Sequence, residues 1–364
     1  MKILLVSTVP VCKNGITNVI YNYIKAMNCE GIRFDLVANN FPDSIYKELV
    51  KSKGGKLYHI GKFPHIYVYV WKLSRLIRNN EYDIVHIHGN SHTVCVELLA
   101  AFLGGCKTRI VHAHNTYCKS LFVHKLLAFP FRMLCTHGMA CGKEAGVFMF
   151  GKYDFTVMNN GVDTIKYAYD DAMRRSVRNS LQLTDDSIVV GHVGMFNEAK
   201  NHAFLVDVFD KLSKRNSNSH LVMIGDGALR NEIEHKVAGL GLNDKVTFTG
   251  NIDNVYEYLN AIDVIVMPSL HEGLPLSLIE QQANGLQCIC SANITEEADK
   301  TGNLCFISLD APVLEWVTAI EYSNCKQMRE QRSKNAIIAI AKAGYSIHEE
   351  AKKLKEYYIN VIER

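Results

Sequence analysis

The chain alternates short apolar, β-rich runs with longer helix-like stretches, and it does so in two successive series. The first half carries KILLVST, RFDLVAN, KLYHIG, DIVHIHG, TRIVHAHN, GMACGK and FTVMNNG; the second carries SIVVGHVGMF, HLVMIGDG, VTFTGN, VIVMPS, CICSAN and CFISLD. Strands buried on both faces read as near-continuous apolar runs, and parallel neighbours need a crossover between them. Helix-like stretches fill those crossovers, among them Thr17–Cys29, Ala199–Arg215 and Ala228–Gly239, and a charged stretch, Ile347–Glu363, follows the last run. The pattern predicts an α/β chain of two doubly wound, Rossmann-like domains facing across a cleft. Asn159-Asn160-Gly161 is a turn signal, and the segment after it, Val162 to Ile188, is the expected boundary. The expected domains are residues 1–165 and 166–345, with 346–364 a helix crossing back to the first. Ligands of such sheets bind beyond the carboxyl ends of the strands, so the cleft is the expected site.

Composition narrows the class. No window holds the roughly 20 apolar residues of a membrane span, and no small-residue cleavage site follows the apolar run at Met1. The 11 cysteines form no C-x-x-C pair and read as reduced core thiols of a cytosolic protein. The net charge of +3 divides unevenly: residues 1–160 hold 19 Lys+Arg and 9 Asp+Glu, and residues 161–364 hold 21 and 28. A half at +10 joined to a half at −7 points the first half toward an anionic partner.

Several nucleotide chemistries fail on inspection. Only Gly15 follows the first strand, and Gly225-Asp226-Gly227 is followed by Arg230 where a dinucleotide fingerprint needs glycine. No P-loop is present. The stretch MPSLHEGLPLSLIEQQANG, Met267 to Gly285, reads differently. It is the end of a strand, a Gly/Pro loop and then a helix with Pro275 in its first turn. Leu276, Ser277 and Leu278 would then offer free N–H groups at the positive end of the helix dipole, a ready diphosphate site. Glu272 lies before that end, with Gly273 and Leu274 beside it. Glu280 lies about 7–8 Å along the helix. A carboxylate on each side suits a hydroxylated group at each end of a diphosphate, Glu280 for a ribose and Glu272 for a sugar. That is a nucleotide-sugar.

These motifs resemble the retaining GT-B glycosyltransferases of glycosyltransferase family 4, and within it the EpsF type of capsular and exopolysaccharide transferases. The E-x7-E pair is Glu272 and Glu280, and the G-R-L-x-x-x-K loop is GMFNEAK, Gly194 to Lys200. The sequences GDG, VTFTGNI, IVHAHNT and MNNGVD fit as well, so the likeness covers nearly the whole chain. The resemblance implies a UDP-sugar donor, no bound cofactor or metal, and a lipid-linked glycan acceptor. It implies a setting at the inner face of a bacterial plasma membrane, in surface polysaccharide synthesis, with no nucleic-acid partner. It also implies front-face transfer with retention. By this likeness the catalytic residues are Glu272, Lys200 as phosphate cation, and His114 at the end of its strand. Gly15, Gly225, Gly227, Asn251 and Ile252 join the donor site. Met195 stands where the family carries arginine, and Gly142 where it carries serine. His112 is expected on the sheet face opposite His114. His86 and His88 repeat the spacing, and these histidines are expected in the core rather than on a metal. A GT-B epimerase acting on a UDP-sugar and a degenerate, non-catalytic subunit are the competing readings.

Two stretches of the first half, Phe63–Arg78 and Ser120–Cys135, mix aromatic, aliphatic and basic residues. With the +10 balance they point to an anionic membrane surface.

Overall fold

A computed structural model describes the whole chain except residues 13–14, 63, 324–327 and 364. It divides into two compact units, Met1–Gly161 with Ile347–Arg364, and Val162–Ser346. All thirteen expected runs form strands. The first unit holds β1 (Lys2–Ser7), β2 (Arg33–Ala38), β3 (Leu57–His59), β4 (Ile84–His88), β5 (Thr108–Ala113), β6 (His137–Ala140) and β7 (Thr156–Val157). The second holds β8 (Ile188–Val193), β9 (Ser219–Ile224), β10 (Val246–Gly250), β11 (Val264–Met267), β12 (Gln287–Ser291) and β13 (Leu304–Ile307). The sheet orders are β3-β2-β1-β4-β5-β6-β7 and β10-β9-β8-β11-β12-β13, and every ladder is parallel. Both are doubly wound, and their order reverses between β1 and β4 and between β8 and β11.

Strand alternation builds two cores per sheet. Ile3 and Leu5 face one cluster, Leu4 and Val6 the other. In the second sheet Val264 and Val266 pack on one side, Ile265 and Met267 on the other. The helix Ile347–Glu363 buries Ile347, Ala351, Leu354 and Tyr358, spaced by four, three and four residues, and these side chains belong to the first unit's core. Where the chain leaves the first unit, a Cβ on Gly161 would lie 2.6 Å from the Cα of Ile347. Glycine is therefore required for the two segments to run side by side.

The segment expected as one helix over Ser120–Cys135 forms two, Leu121–Leu126 and Ala128–Leu134. Pro130 has no N–H for the carbonyl of Leu126, and its ring crowds that carbonyl, so one helix cannot run through. Phe63 lies outside the described residues, and the other membrane-facing candidate forms the helix Ile66–Asn80. Both segments leave large apolar side chains in solvent: Tyr67 and Trp71 on one, Leu121, Phe122, Leu126, Phe129 and Met133 on the other. Phe122 is 77% exposed and Trp71 57%, with the Arg75 guanidinium 5.5 Å from the Trp71 ring. Among the described residues no helix is long and apolar enough to cross a membrane.

One buried carboxylate ties the second unit's first helix to its sheet. Asp263 accepts from Arg174 Nη2 at 2.6 Å, from Arg178 Nη1 at 3.2 Å and from the backbone N–H of Val189 at 2.8 Å. Removing it strands a buried guanidinium. Asp263→Ala is expected to cost about 3–5 kcal/mol, read as a lowered midpoint of urea unfolding.

Candidate functional site

The order reversal between β8 and β11 sends the loops beyond these neighbouring strands in different directions. After β8 the chain runs through Gly194–Asn197 into a single 3-10 turn, Glu198–Lys200, whose Asn197 side chain accepts from the Lys200 N–H at 3.2 Å. After β11 it runs through Leu270–Leu274 to the helix Leu276–Ala283. The loops meet twice. The N–H of Leu270 donates to the Ala199 carbonyl at 2.8 Å, and Lys200 Nζ lies 2.6 Å from Glu272 Oε1. Both of these side chains are mostly buried, 15% and 17% exposed. The two residues expected to grip the donor thus form one ion pair at the switch point.

The helix start departs in detail from expectation. Pro275 sits at the N-cap with φ −76° and ψ 111°, one residue before the first turn. Leu278 donates to the Pro275 carbonyl at 3.0 Å, so it is spent within the chain and is not a free donor. Leu276 and Ser277 remain at the positive end of the dipole. Four residues on, Glu280 is partly buried and takes a hydrogen bond from Tyr167. Burial raises its carboxyl to about 7, against the pull of Tyr167 and Lys166.

The chain is similar to known proteins along most of its length. Residues 13–141 match the family described as Glycosyltransferase Family 4, and residues 173–300 match Glycosyl transferases group 1. A Bacillus subtilis protein described as a putative glycosyltransferase, EpsF, is 33% identical over 85% of this chain and 84% of its own. This chain is a family 4 glycosyltransferase. An Escherichia coli relative of this glycosyltransferase, UDP-Gal:alpha-D-GlcNAc-diphosphoundecaprenol alpha-1,3-galactosyltransferase, is 29% identical over 80% of this chain and 78% of its own. The crystal structure of Anabaena HepE in complex with UDP superposes with a TM-score of 0.79 over 99% of this chain and 100% of that one, at 16% identity. The glycosyltransferase therefore has the GT-B fold.

The remaining expected residues sort by unit. Gly225 and Gly227 were expected to let a nucleobase approach, but their close neighbours are protein backbone. A Cβ on Gly225, whose φ is +137°, would lie 2.0 Å from the Gly194 carbonyl oxygen, and one on Gly227 would lie 2.5 Å from that of Phe196. These glycines seat the Gly194–Phe196 loop that leads to Lys200. Asn251 is exposed, and Ile252 packs against the sheet. Gly273 is exposed and Leu274 half-buried. Met195 is 63% exposed. The cation at the equivalent end of GDGALR, Arg230, is held by Asp226 at 3.1 Å and Glu234 at 2.7 Å.

Gly15 and His114 belong to the first unit. Gly15 opens the helix Gly15–Ala26, and a Cβ there would meet nothing within 4 Å; Asn14 before it lies outside the described residues. Gly142 precedes the helix Lys143–Phe150 in extended conformation. His114 has its Nε2 2.9 Å from His88 Nδ1, and burial lowers it to about 3, so it is a neutral imidazole. His112 shares its sheet face: the two rings lie 4.4 Å apart at 22°. The expectation that they face apart fails because side chains two residues apart on a strand point the same way.

Sequence reasoning missed three side chains. Tyr167 comes from the segment read as a linker and carries no motif signal. His192 and His202 flank the lysine loop. His192 Nδ1 lies 2.9 Å from the Val266 carbonyl, and the His202 ring stacks on Phe196 with centroids 4.0 Å apart. Burial and then Lys200 lower His202 to about 4, so it is a neutral imidazole beside the Lys200–Glu272 pair. The GHVG and KNH spellings on either side of GMFNEAK were the available signal.

Glu280 gives a pH signature. An unfolded glutamate titrates near ~4.3. Between that and about 7 the folded state holds a proton that the unfolded state has released. Its contribution to stability is complete below ~4.3 and is lost as pH rises through about 7. Glu280→Gln cannot ionise. Without ligand it is expected to exceed the wild type in stability by on the order of 1–3 kcal/mol near pH 8, with the gap closing near pH 4.5, by urea unfolding at both. A pH-independent gap would contradict this.

Proposed function

We propose that this glycosyltransferase moves a sugar, with retention, from a UDP-sugar to a lipid-linked glycan acceptor in bacterial surface polysaccharide synthesis. The observation that carries the reading is the Lys200–Glu272 pair at the β8/β11 switch point, beside a helix start that offers N–H groups. A diphosphate entering there competes with Glu272 for the ammonium. Lys200 then neutralises the leaving diphosphate as the glycosidic bond breaks. Glu272, released from that pair, accepts from hydroxyls of the donor sugar. Leu276 and Ser277 direct their N–H groups at phosphate oxygens, and Glu280 accepts from ribose hydroxyls. The departing phosphate takes the acceptor's proton, which accounts for retention without a second carboxylate across the bond. UDP is favoured because the HepE complex contains it, and because the Escherichia coli relative is named for UDP-Gal and a diphosphoundecaprenol substrate. Met195 leaves the diphosphate with Lys200 and the helix start as its positive partners.

The apolar side chains of Ile66–Asn80 and Leu121–Leu134, with the basic balance of the first 160 residues, support docking to the inner face of an anionic membrane.

Thermal unfolding with UDP, GDP, ADP and NAD tests the donor site. At 100 times its dissociation constant, UDP is expected to add ~2.7 kcal/mol to the wild type and nothing to Glu280→Ala. Lys200→Ala is expected to lower kcat by about 100- to 1,000-fold while its fold, by circular dichroism, stays intact. No shift with UDP would overturn the donor assignment. For the membrane, co-sedimentation with phosphatidylglycerol vesicles is expected at low salt and release near 1 M salt; protein left in the supernatant at low salt would remove this part of the proposal.

A further inference from the structure

The first unit contains a side-chain cluster that the transfer chemistry leaves unused. His86 and His88 on β4 and His112 on β5 point to one face of the sheet, together with His114 just past the end of β5. The first three are 0%, 4% and 1% exposed. One ring nitrogen from each lies within 4.8 Å of the other two. No carboxylate of the described residues pairs with any of them.

A plain core explains this cluster poorly. A neutral imidazole carries one donor and one acceptor, and a buried one left unpaired costs about 1–3 kcal/mol. His86 Nε2, His114 Nδ1 and both ring nitrogens of His112 make no hydrogen bond, with only the Met158 carbonyl near enough to His112 to compensate in part. Two other ring nitrogens are hydrogen-bonded. Tyr358 Oη lies 2.6 Å from His86 Nδ1, and His114 Nε2 lies 2.9 Å from His88 Nδ1. When His86 Nδ1 carries the proton and donates it to Tyr358, its Nε2 presents a bare lone pair, the usual outer-shell arrangement. A cavity of ≈ 10 Å³, lined by His88, His112, Tyr23 and Tyr358 among apolar side chains, lies beside the cluster without reaching His86. It has room for one atom-sized guest and none for an organic ligand.

We propose that His86, His88 and His112 bind one transition-metal ion of the Zn2+ class. The set is all nitrogen, which suits zinc, copper or nickel and not magnesium or calcium. Three imidazoles with an open fourth position is a known zinc arrangement. Zn–N bonds of ~2.0–2.1 Å require the nitrogens to draw closer than they stand, by rotation of the rings about Cβ–Cγ. The ion braces β4 to β5 and, through Tyr358, ties the helix Ile347–Glu363 to the sheet. The site is independent of the donor reading, which rests on the second unit.

The test uses the full-length protein stripped with chelator and titrated with Co2+ and then Zn2+. The expected result is one ion per chain, intense visible absorption from four-coordinate Co2+, and a rise of several degrees in melting temperature with Zn2+. His86→Gln and His112→Gln are expected to abolish all three signals, and His235→Gln, on an exposed helix position, to leave them unchanged. Should the core variants fail to fold, X-ray absorption of Zn2+ on the wild type counts imidazole ligands directly. Three are expected, and fewer than three overturns the proposal, as does any signal that survives His112→Gln or the absence of binding to the wild type.

Discussion

Everything at the candidate site follows from β11 lying next to β8. The two strands are neighbours in space but are separated in the chain by two βα units, with Val264 opposite Val190 and Ile265 opposite Gly191. Their sheet is wound outward in both directions from this pair. Where the strand order reverses, the loops leaving the two strands turn to opposite sides, so a gap opens between them. The sequence fills that gap with a short polar turn on one side and a Gly/Pro loop on the other. The Lys200–Glu272 contact and the Leu270-to-Ala199 hydrogen bond close it. A charged pair is tolerable there because the lining is neither dry nor open.

Burial also sets the protonation of the titratable side chains packed beside the loop. His192 and His202 are pushed toward the neutral form by burial and by the ammonium of Lys200. Glu280 is raised toward neutrality by burial. Lys200, with its counter-ion Glu272, thus lies among groups that burial holds near neutrality.

The fold was legible because strand and crossover signals are local. All thirteen runs become strands, and the stretch Ile347–Glu363 becomes a helix over that same range. The Glu272/Glu280 spacing was legible because loop and helix fix it through chain geometry. What stayed hidden depends on contacts far apart in sequence. Tyr167 meets Glu280 across 113 positions. The glycines of GDG pack against the backbone of Gly194 and Phe196. The histidine pairs were misassigned for another reason: a period of two puts alternate residues on one face, and that rule was misapplied to His112 and His114. The break between Leu126 and Ala128 was within reach, since Pro130 states it.

The return of the helix Ile347–Glu363 has a consequence for how the protein is made. Its buried face completes the core built by β1, β2 and the helix Gly15–Ala26, yet 185 residues are synthesised between Gly161 and Ile347. At roughly 5–20 residues per second a ribosome needs about 10–40 s for that interval. Throughout it the first unit exposes the apolar groove that Leu354 and Tyr358 later fill. The part of the chain that emerges first is thus finished last, and a chaperone that shields that groove has a defined window in which to act.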